Sequence, residues 1–318
     1  MHGANVGRVG ILGIDATTNQ AVCYLIPEKD KADSRYIFHA LQQKLPEFIS
    51  RSVGGAQPNI SQQIIRETEV LLPPIAQQKR IAAILDKAEE LRSLRRKTLG
   101  ELDAIAPSIF LEMFGDAVKN DRNWQTAKMG DLLQIRRGAS PRPIEKYLGG
   151  DVNWIKIGDG TKGSDIHLES CADKITYDGS KKSVFLKSGN LIFANCGVSL
   201  GFARILKVDG CIHDGWLSFE DIPKEKLDKL FLLKALNSIT QHFRDIAPAG
   251  TQPNLNTGLM KNFRVILPPL PLQQEFARRV DAIERLKTTH RESLAQLDTL
   301  FAIPSSPHSN IAPFEDCG

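Results

Sequence analysis

The chain has 318 residues, 42% of them hydrophobic, and its 41 basic and 37 acidic side chains leave a net charge of +4. That size and apolar content suit two ordinary domains. No stretch approaches the roughly 18 consecutive apolar residues of a membrane span, and "MHGANVGRVG" lacks the regions of a signal peptide, so a cytoplasmic location is expected. Cys23, Cys171, Cys196, Cys211 and Cys317 are odd in number and never in C-x-x-C spacing, which argues against a disulfide framework or zinc site and for buried free thiols. The mild basic excess is compatible with nucleic acid but does not demand it, because phosphate binding depends on clustering.

In chain order, "GANVGRVGILGID" (Gly3 to Asp15) leads to "YIFHALQQKLPEF" (Tyr36 to Phe48), a helical stretch. Gly55 precedes Gln57-Pro58-Asn59, and Ser61 is the next candidate N-cap, a residue type that accepts from the orphan N–H groups of a helix start. A short helix and an apolar strand, "VLLPP", are expected next. Proline fixes φ and has no N–H, so Pro73-Pro74 stop strand pairing and deliver the chain into a first helical turn, where a missing donor does no harm. From Ile75 the apolar residues Ile81, Ile84, Leu85, Ala88, Leu91, Leu94, Leu99, Leu102, Ile105 and Ile109 keep mostly three-and-four spacing. The helix predicted from them is about 60 Å long and ends near Phe114, with Pro107 a candidate kink.

Residues 115–267 alternate β-like runs with turns: "LLQIRRG", "NWIKIGD", "SVFLKSG", "NLIFANC", "ARILKVDG" and "CIHDGWLSF". A mostly β domain with few helices, such as Lys224 to Leu236, is expected, with Trp124, Trp154 and Trp216 as core aromatics. Basic residues fall at its turns and strand ends. The candidate DNA-contacting set is Arg136, Arg137, Ser140, Arg142, Lys146, Lys156, Lys181 and Lys182. For any single lysine a solvated face explains the residue equally well. "RRGASPRP" is more pointed, since glycine and prolines build an exposed loop around three guanidinium groups that offer planar forks to a guanine edge.

His213-Asp214 suggests catalysis, but with no positioned nucleophile or second ligand a structural or DNA-facing role fits better. "GDGTKG" (Gly158 to Gly163) matches G-x-G-x-x-G without opening an amphipathic helix, so a turn is expected there. The Leu-Pro-Pro pairs lack the polar and aromatic neighbours of an amino-methyltransferase motif.

The second half repeats the first. Gln57-Pro58-Asn59 returns as Gln252-Pro253-Asn254, 195 positions on, and Pro73-Pro74, Gln78, Ala82, Asp86, Glu89, Leu91 and Leu102-Asp103 return at the same offset. Gly250 and the candidate N-cap Asn256 keep the pattern, as does the strand "RVILPP" before a second helix of about 45 Å. That helix carries Phe276, Val280, Ile283, Leu286, Leu294, Leu297 and Leu300. Upstream, "GVSLGFARILKVD" (Gly197 to Asp209) lies under the first stretch and "FLLKALNSITQHF" (Phe231 to Phe243) under the first helix. Residues from about Gly115 to Asn195 have no counterpart, so copy one is expected to lack its front half. Two long apolar stripes need partners, and each helix is the other's simplest one, in an antiparallel coiled coil related by an approximate two-fold. The expected class is α+β, with mostly-β domains joined by that rigid spacer.

"LLPPIAQQKRIAAILDKAEELRSLRRKTLGELDAI", "ILPPLPLQQEFARRVDAIERL" and "NWQTAKMGDLLQIRRGASPRP" resemble the central spacer helix, the distal spacer helix and the opening of a target recognition domain in type I restriction-modification specificity subunits. The resemblance implies a partial first recognition domain (1–72), a central helix (73–114), a complete second domain (115–267), a distal helix (268–303) and a flexible tail (304–318). It implies a non-catalytic subunit whose domains each read half of a bipartite site in double-stranded DNA while the helices set the spacing. Its partners would be methyltransferase subunits carrying S-adenosylmethionine, with no cofactor in this chain, and a translocating restriction endonuclease. No membrane partner is expected. The missing front half departs from the family and fits a remnant or mis-started gene, or a half-type subunit that joins a second specificity chain. The competing reading is a coiled-coil scaffold binding only proteins.

Overall fold

The structure is a computed structural model that describes residues 7–52, 60–247 and 254–301. The Gln57-Pro58-Asn59 turn, Gly55, Gly250, Gln252, Pro253, Cys317 and the expected tail lie outside the described residues. Two compact units are formed, one from residues up to 100 and from 287 onward, the other from Glu101–Leu286, so the boundary falls inside both long helices.

In the first unit Asp33 caps α1 (Ser34–Gln43), its carboxylate accepting from the N–H of Arg35 and Tyr36. The run read as one helix to Phe48 breaks at Lys44, and α2 (Leu45–Ser50) begins afresh, because Pro46 has no N–H for the carbonyl four residues back. Ser61 caps α3 (Gln62–Arg66) as expected, accepting from the Ile64 N–H at 3.3 Å. Leu41, Phe48 and Ile60 form a small core with Val9, Ile37, Ile64 and Ile65 around it. The expected strand "VLLPP" is not formed: its residues pair with no strand, and Leu71 is 83% exposed. From Ile75, α4 (Ile75–Phe114) runs without interruption through Pro107.

The second unit carries all the strands among the described residues. Trp124 donates its indole N–H to the Phe114 carbonyl at 2.9 Å and leads into β1 (Thr126–Lys128), α5 (Met129–Leu132) and β2 (Gln134–Arg137). Then follow β3 (Leu148–Ile155), β4 (His167–Leu168), β5 (Asp173–Ile175), α6 (Tyr177–Ser180), β6 (Val184–Leu186), β7 (Leu191–Ala194), β8 (Ala203–Leu206), β9 (Gly210–Ile212) and β10 (Trp216–Glu220). The strands form one sheet in the order β2-β10-β7-β8-β4 and another in the order β5-β3-β9-β6, with only β4–β8 and β3–β9 parallel. "GDGTKG" lies in a 3₁₀ turn, Ile157–Thr161, and the following turn, where Gly163 takes φ +72°, and so opens no α-helix. Trp154 and Trp216 are buried as expected, while Trp124 is half-buried. Only Cys211 of the described thiols is fully buried; Cys23, Cys171 and Cys196 are half-buried.

After β10 come α7 (Lys229–Ser238), α8 (Thr240–Ile246), α9 (Thr257–Asn262), β11 (Arg264–Ile266) and α10 (Leu270–Thr299). The helix expected from Lys224 starts at Lys229 because Asp228, extended at φ −77° and ψ 132°, takes the cap position and accepts from Leu230 and Phe231. Its expected continuation to Phe243 breaks at Ile239, 195 positions after Lys44, so the break repeats as well as the helices. Asn256 caps α9 by accepting from the Leu259 N–H at 2.9 Å. In this copy "RVILPP" does supply a strand, because β1 lies beside it: Ala127 pairs with Val265.

One local device is the same in both units. The Gln78 amide, fully buried, accepts from the Asp33 N–H at 2.9 Å and donates to the carbonyls of Lys31 (2.9 Å) and Pro73 (2.7 Å). The Gln273 amide, also fully buried, accepts from Asp228 (2.9 Å) and donates to Lys226 (3.0 Å) and Pro268 (2.7 Å). All four positions of each set differ by 195. Each glutamine thus ties the first turn of a long helix to the cap residue of an earlier helix, α1 or α7, using donors and acceptor together as only a carboxamide does at this length.

The long helices meet differently in the two units. In the first, Arg92 donates to Asp298 at 2.6 Å and stacks 4.5 Å over Phe301, while Arg95 lies 3.2 Å from His290. Partners descend along α10 as α4 ascends, so the segments run antiparallel. Arg95 and His290 are 195 apart, so positions equivalent in the repeat face each other there. In the second unit Leu102, Ala106, Phe110 and Phe114, each four residues on, pack with Phe276, Val280 and Ile283. The expected stripe is therefore only partly used: Ile84, Leu94 and Leu286 are each more than half exposed, and in the first unit polar contacts of Arg92 and Arg95 stand where apolar packing was expected. No described helix is long and apolar enough to cross a membrane.

Candidate nucleic-acid interface

Strand β2 pairs with β10 so that Arg136 faces Ser218 and Arg137 faces Leu217 across the ladder. Successive side chains of a strand point to opposite faces, and the two arginines part accordingly. Arg136 makes a bidentate bond to Glu220 at 2.8 and 2.6 Å, and Ser218 Oγ donates to the same carboxylate at 2.6 Å. Burial alone would raise the Glu220 carboxyl, but these hydrogen bonds outweigh it and hold the group below its usual range. The Arg136 fork is thus filled from within the protein.

Arg137 turns the other way and donates Nε to the Asp214 carbonyl at 2.9 Å. Beyond it the chain crosses the turn that follows β9. Gly138 donates to the Trp216 carbonyl at 2.9 Å and Ala139 to that of Ile212 at 3.1 Å. A Cβ at Gly138 would stand 2.2 Å from the His213 carbonyl oxygen, so only glycine permits this crossing. Ser183 Oγ closes the loop from below by donating to the Ala139 carbonyl at 2.5 Å.

The crossing brings the "RRGASPRP" loop onto Asp214. Ser140 Oγ donates to Asp214 Oδ1 at 2.9 Å, and the Arg142 guanidinium stands 3.6 Å from Oδ2. His213 Nδ1 accepts from the Gly215 N–H at 2.9 Å and sits 3.0 Å from Asp214 Oδ1. Burial lowers the His213 pKa, more than the adjacent Asp214 raises it, and an Nδ1 that already accepts a backbone N–H is the neutral tautomer's. The Ser140 hydroxyl is held by Asp214 Oδ1, and no metal-binding group of His, Cys, Asp and Glu occurs among the described residues. His213 and Asp214 organise the loop.

The lysines of the candidate set sit beside aromatic rings. Lys182 Nζ donates to the Tyr147 hydroxyl and lies 4.8 Å from its ring centroid; Lys181 is 4.4 Å from the Tyr177 centroid and pairs with Asp178 at 3.0 Å. Lys156 pairs with Asp173 and lies 5.8 Å from the Trp154 centroid, and Trp154 in turn is 5.6 Å from the His213 ring. Lys146 ends the short turn Ile144–Lys146 that leads from the arginine loop to Tyr147. The fold therefore gathers Arg137, Ser140 and Arg142 at one point, joins Lys156 to it through Trp154 and His213, and sets Arg136 apart. Sequence reading missed Tyr147 and Tyr177 as partners of these lysines, and Asp214 as the point of convergence. "YDGSKK", with basic residues next to an aromatic, was the available signal.

A model of the type I restriction modification DNA specificity domain matches residues 1–104 and 121–299 of this chain. The chain is 24% identical over 295 residues to the type I restriction enzyme MjaIX specificity subunit of Methanocaldococcus jannaschii, spanning 86% of this chain and 67% of that protein. To the MjaVIII specificity subunit of the same organism it is 22% identical over 316 residues, 93% of this chain and 74% of the other. Its fold is similar to the crystal structure of the HsdS subunit from Thermoanaerobacter tengcongensis, with a TM-score of 0.51 at 18% identity over 86% of this chain and 69% of that one.

Proposed function

The chain belongs to the type I restriction modification DNA specificity domain family, and from that premise we propose that it selects the duplex sequence on which partner subunits act, catalysing nothing itself. The carrying observation is the convergence of Arg137, Ser140 and Arg142 on Asp214, flanked by the ring-backed lysines 156, 181 and 182. Phosphate contacts position a protein on DNA, while side chains at base edges specify sequence. Lysines resting on rings suit the first role, and a braced arginine loop suits the second. Residues 115–267 would read one half-site, and the paired helices would set its distance from the other. Methyltransferase subunits bringing S-adenosylmethionine, and a translocating endonuclease, are the partners this role requires.

A salt titration of duplex binding by the full chain tests the reading. Affinity should fall linearly on a log–log plot, and K181E together with K182E should weaken all sequences alike and flatten the slope by about 2. Absence of duplex binding at roughly 50 mM salt, where phosphate contacts are strongest, would defeat it.

A further inference from the structure

Asp214 is gripped by one oxygen and offers the other. Oδ1 is taken by Ser140 at 2.9 Å, while Oδ2 faces Arg142 at 3.6 Å, beyond hydrogen-bonding distance. The two groups therefore stand side by side with bonding capacity to spare. The Arg142 side chain is 80% exposed and that of Asp214 30%, so both are open to a partner. Beneath them the backbone is fixed by the Gly138 crossing, the Arg137 bond to the Asp214 carbonyl and the Ser183 bond to Ala139.

Read across, the pair is a row of two donors from the guanidinium fork and then one acceptor from the carboxylate. In the major groove a G·C pair shows the complementary row: N7 and O6 accept, and cytosine N4 donates. An A·T pair shows acceptor, donor, acceptor, so one arm of the fork would meet the adenine N6 donor and the carboxylate would face thymine O4, acceptor against acceptor. Spacing agrees with the pattern. Guanine O6 and cytosine N4 are bonded to each other within their pair and so lie about 3 Å apart, close to the 3.6 Å between Arg142 and Asp214 Oδ2.

Resting on the DNA-binding role proposed above, the geometry points to Arg142 and Asp214 as a joint reader of one G·C base pair, guanine under the arginine and cytosine under the aspartate. Ser140 and Arg137 are its positioning residues. Arg136, whose fork is held by Glu220, takes no part.

The test selects from a pool of duplexes with a randomised central window, using the full chain at low salt. Wild type should enrich a motif with one position where G·C exceeds the other pairs about 10- to 100-fold. D214N keeps an acceptor for Ser140 but adds a donor to the row, and R142K keeps the charge but loses the fork. Each should cut the preference at that one position to less than about threefold and leave the other positions as they were. R142K alters a side chain too exposed to disturb folding, so it stays informative if D214N destabilises the loop. If both variants lower enrichment evenly at all positions, or leave the G·C position untouched, the joint reading is wrong. If wild type enriches no sequence at all, the DNA-binding role itself fails.

Discussion

Leu12 and Leu206 stand at matching places in the two copies of the repeat, yet Leu12 is 63% exposed and Leu206 is fully buried. Leu206 closes β8, which lies between β7 and β4, and Leu168 of β4 is its register partner. Both neighbours come from the segment that has no counterpart in copy one. Ile14, Tyr24 and Ile26 are likewise open, at 74%, 71% and 84% exposure. Helix side chains tell the same story: His39 of α1 bonds Asp86 of α4 at 2.9 Å, whereas Lys234, 195 positions on, reaches Asp165 in that unmatched segment at 2.6 Å. Against this, the two glutamine bonds to cap and helix start are alike to within 0.1 Å. Contacts between segments that both copies contain can repeat with the sequence; contacts that need the unmatched segment cannot.

The sharpest way to break that contrast is truncation at the matched leucines. L206A should destabilise the second unit by about 3 kcal/mol, through lost transfer energy and a residual cavity. L12A should change the first unit by less than about 0.5 kcal/mol, as expected of an exposed position. Amide hydrogen exchange reads the units separately, and equal losses would mean that Leu12 is covered in solution.

A smaller and equal effect is expected at the glutamines. Q78M and Q273M each leave a part-buried backbone N–H and two carbonyls without their amide partner, and should cost about 1–2 kcal/mol in their own unit. Exchange at the Asp33 and Asp228 amides should quicken correspondingly, and a loss confined to Q273M would show that the first joint is not formed in solution.

The smallest effect is on acid stability. Glu220 is held below its usual carboxylate pKa in the fold, so its contribution is full above about 4.5 and is lost as pH falls through the lowered folded value. E220Q should flatten the acid limb of the second unit alone. The first unit should keep its own acid loss, because hydrogen bonds from His39 and Arg35 outweigh the burial that would raise Asp86 and hold it low. A flattened limb in both units would remove the distinction.

Much of this was readable before any coordinates. The paired helix starts, the caps at Ser61 and Asn256 and most strands of the second unit follow from period, turn residues and the repeat. What escaped depended on distance along the chain. β1 is three residues long and exists because β11 lies beside it, and "VLLPP", with the same local pattern as "RVILPP", stays unpaired for want of such a neighbour. At the candidate interface, the arginine loop was visible as composition, but Ser140 meets Asp214 across 74 positions and Lys182 meets Tyr147 across 35. His213-Asp214, for which the sequence already favoured a structural or DNA-facing role over catalysis, braces that loop.

The glutamine joint has a consequence for how such chains can be recombined. Every bond it makes goes to main chain, at the cap N–H and two carbonyls, so it asks nothing of the side chains it holds. It behaves like a standard coupling: any segment that brings an extended cap residue and the turn before it will seat on the same amide, whatever surface it carries outward. The outward side chains of such a segment can therefore change without altering the joint that seats it.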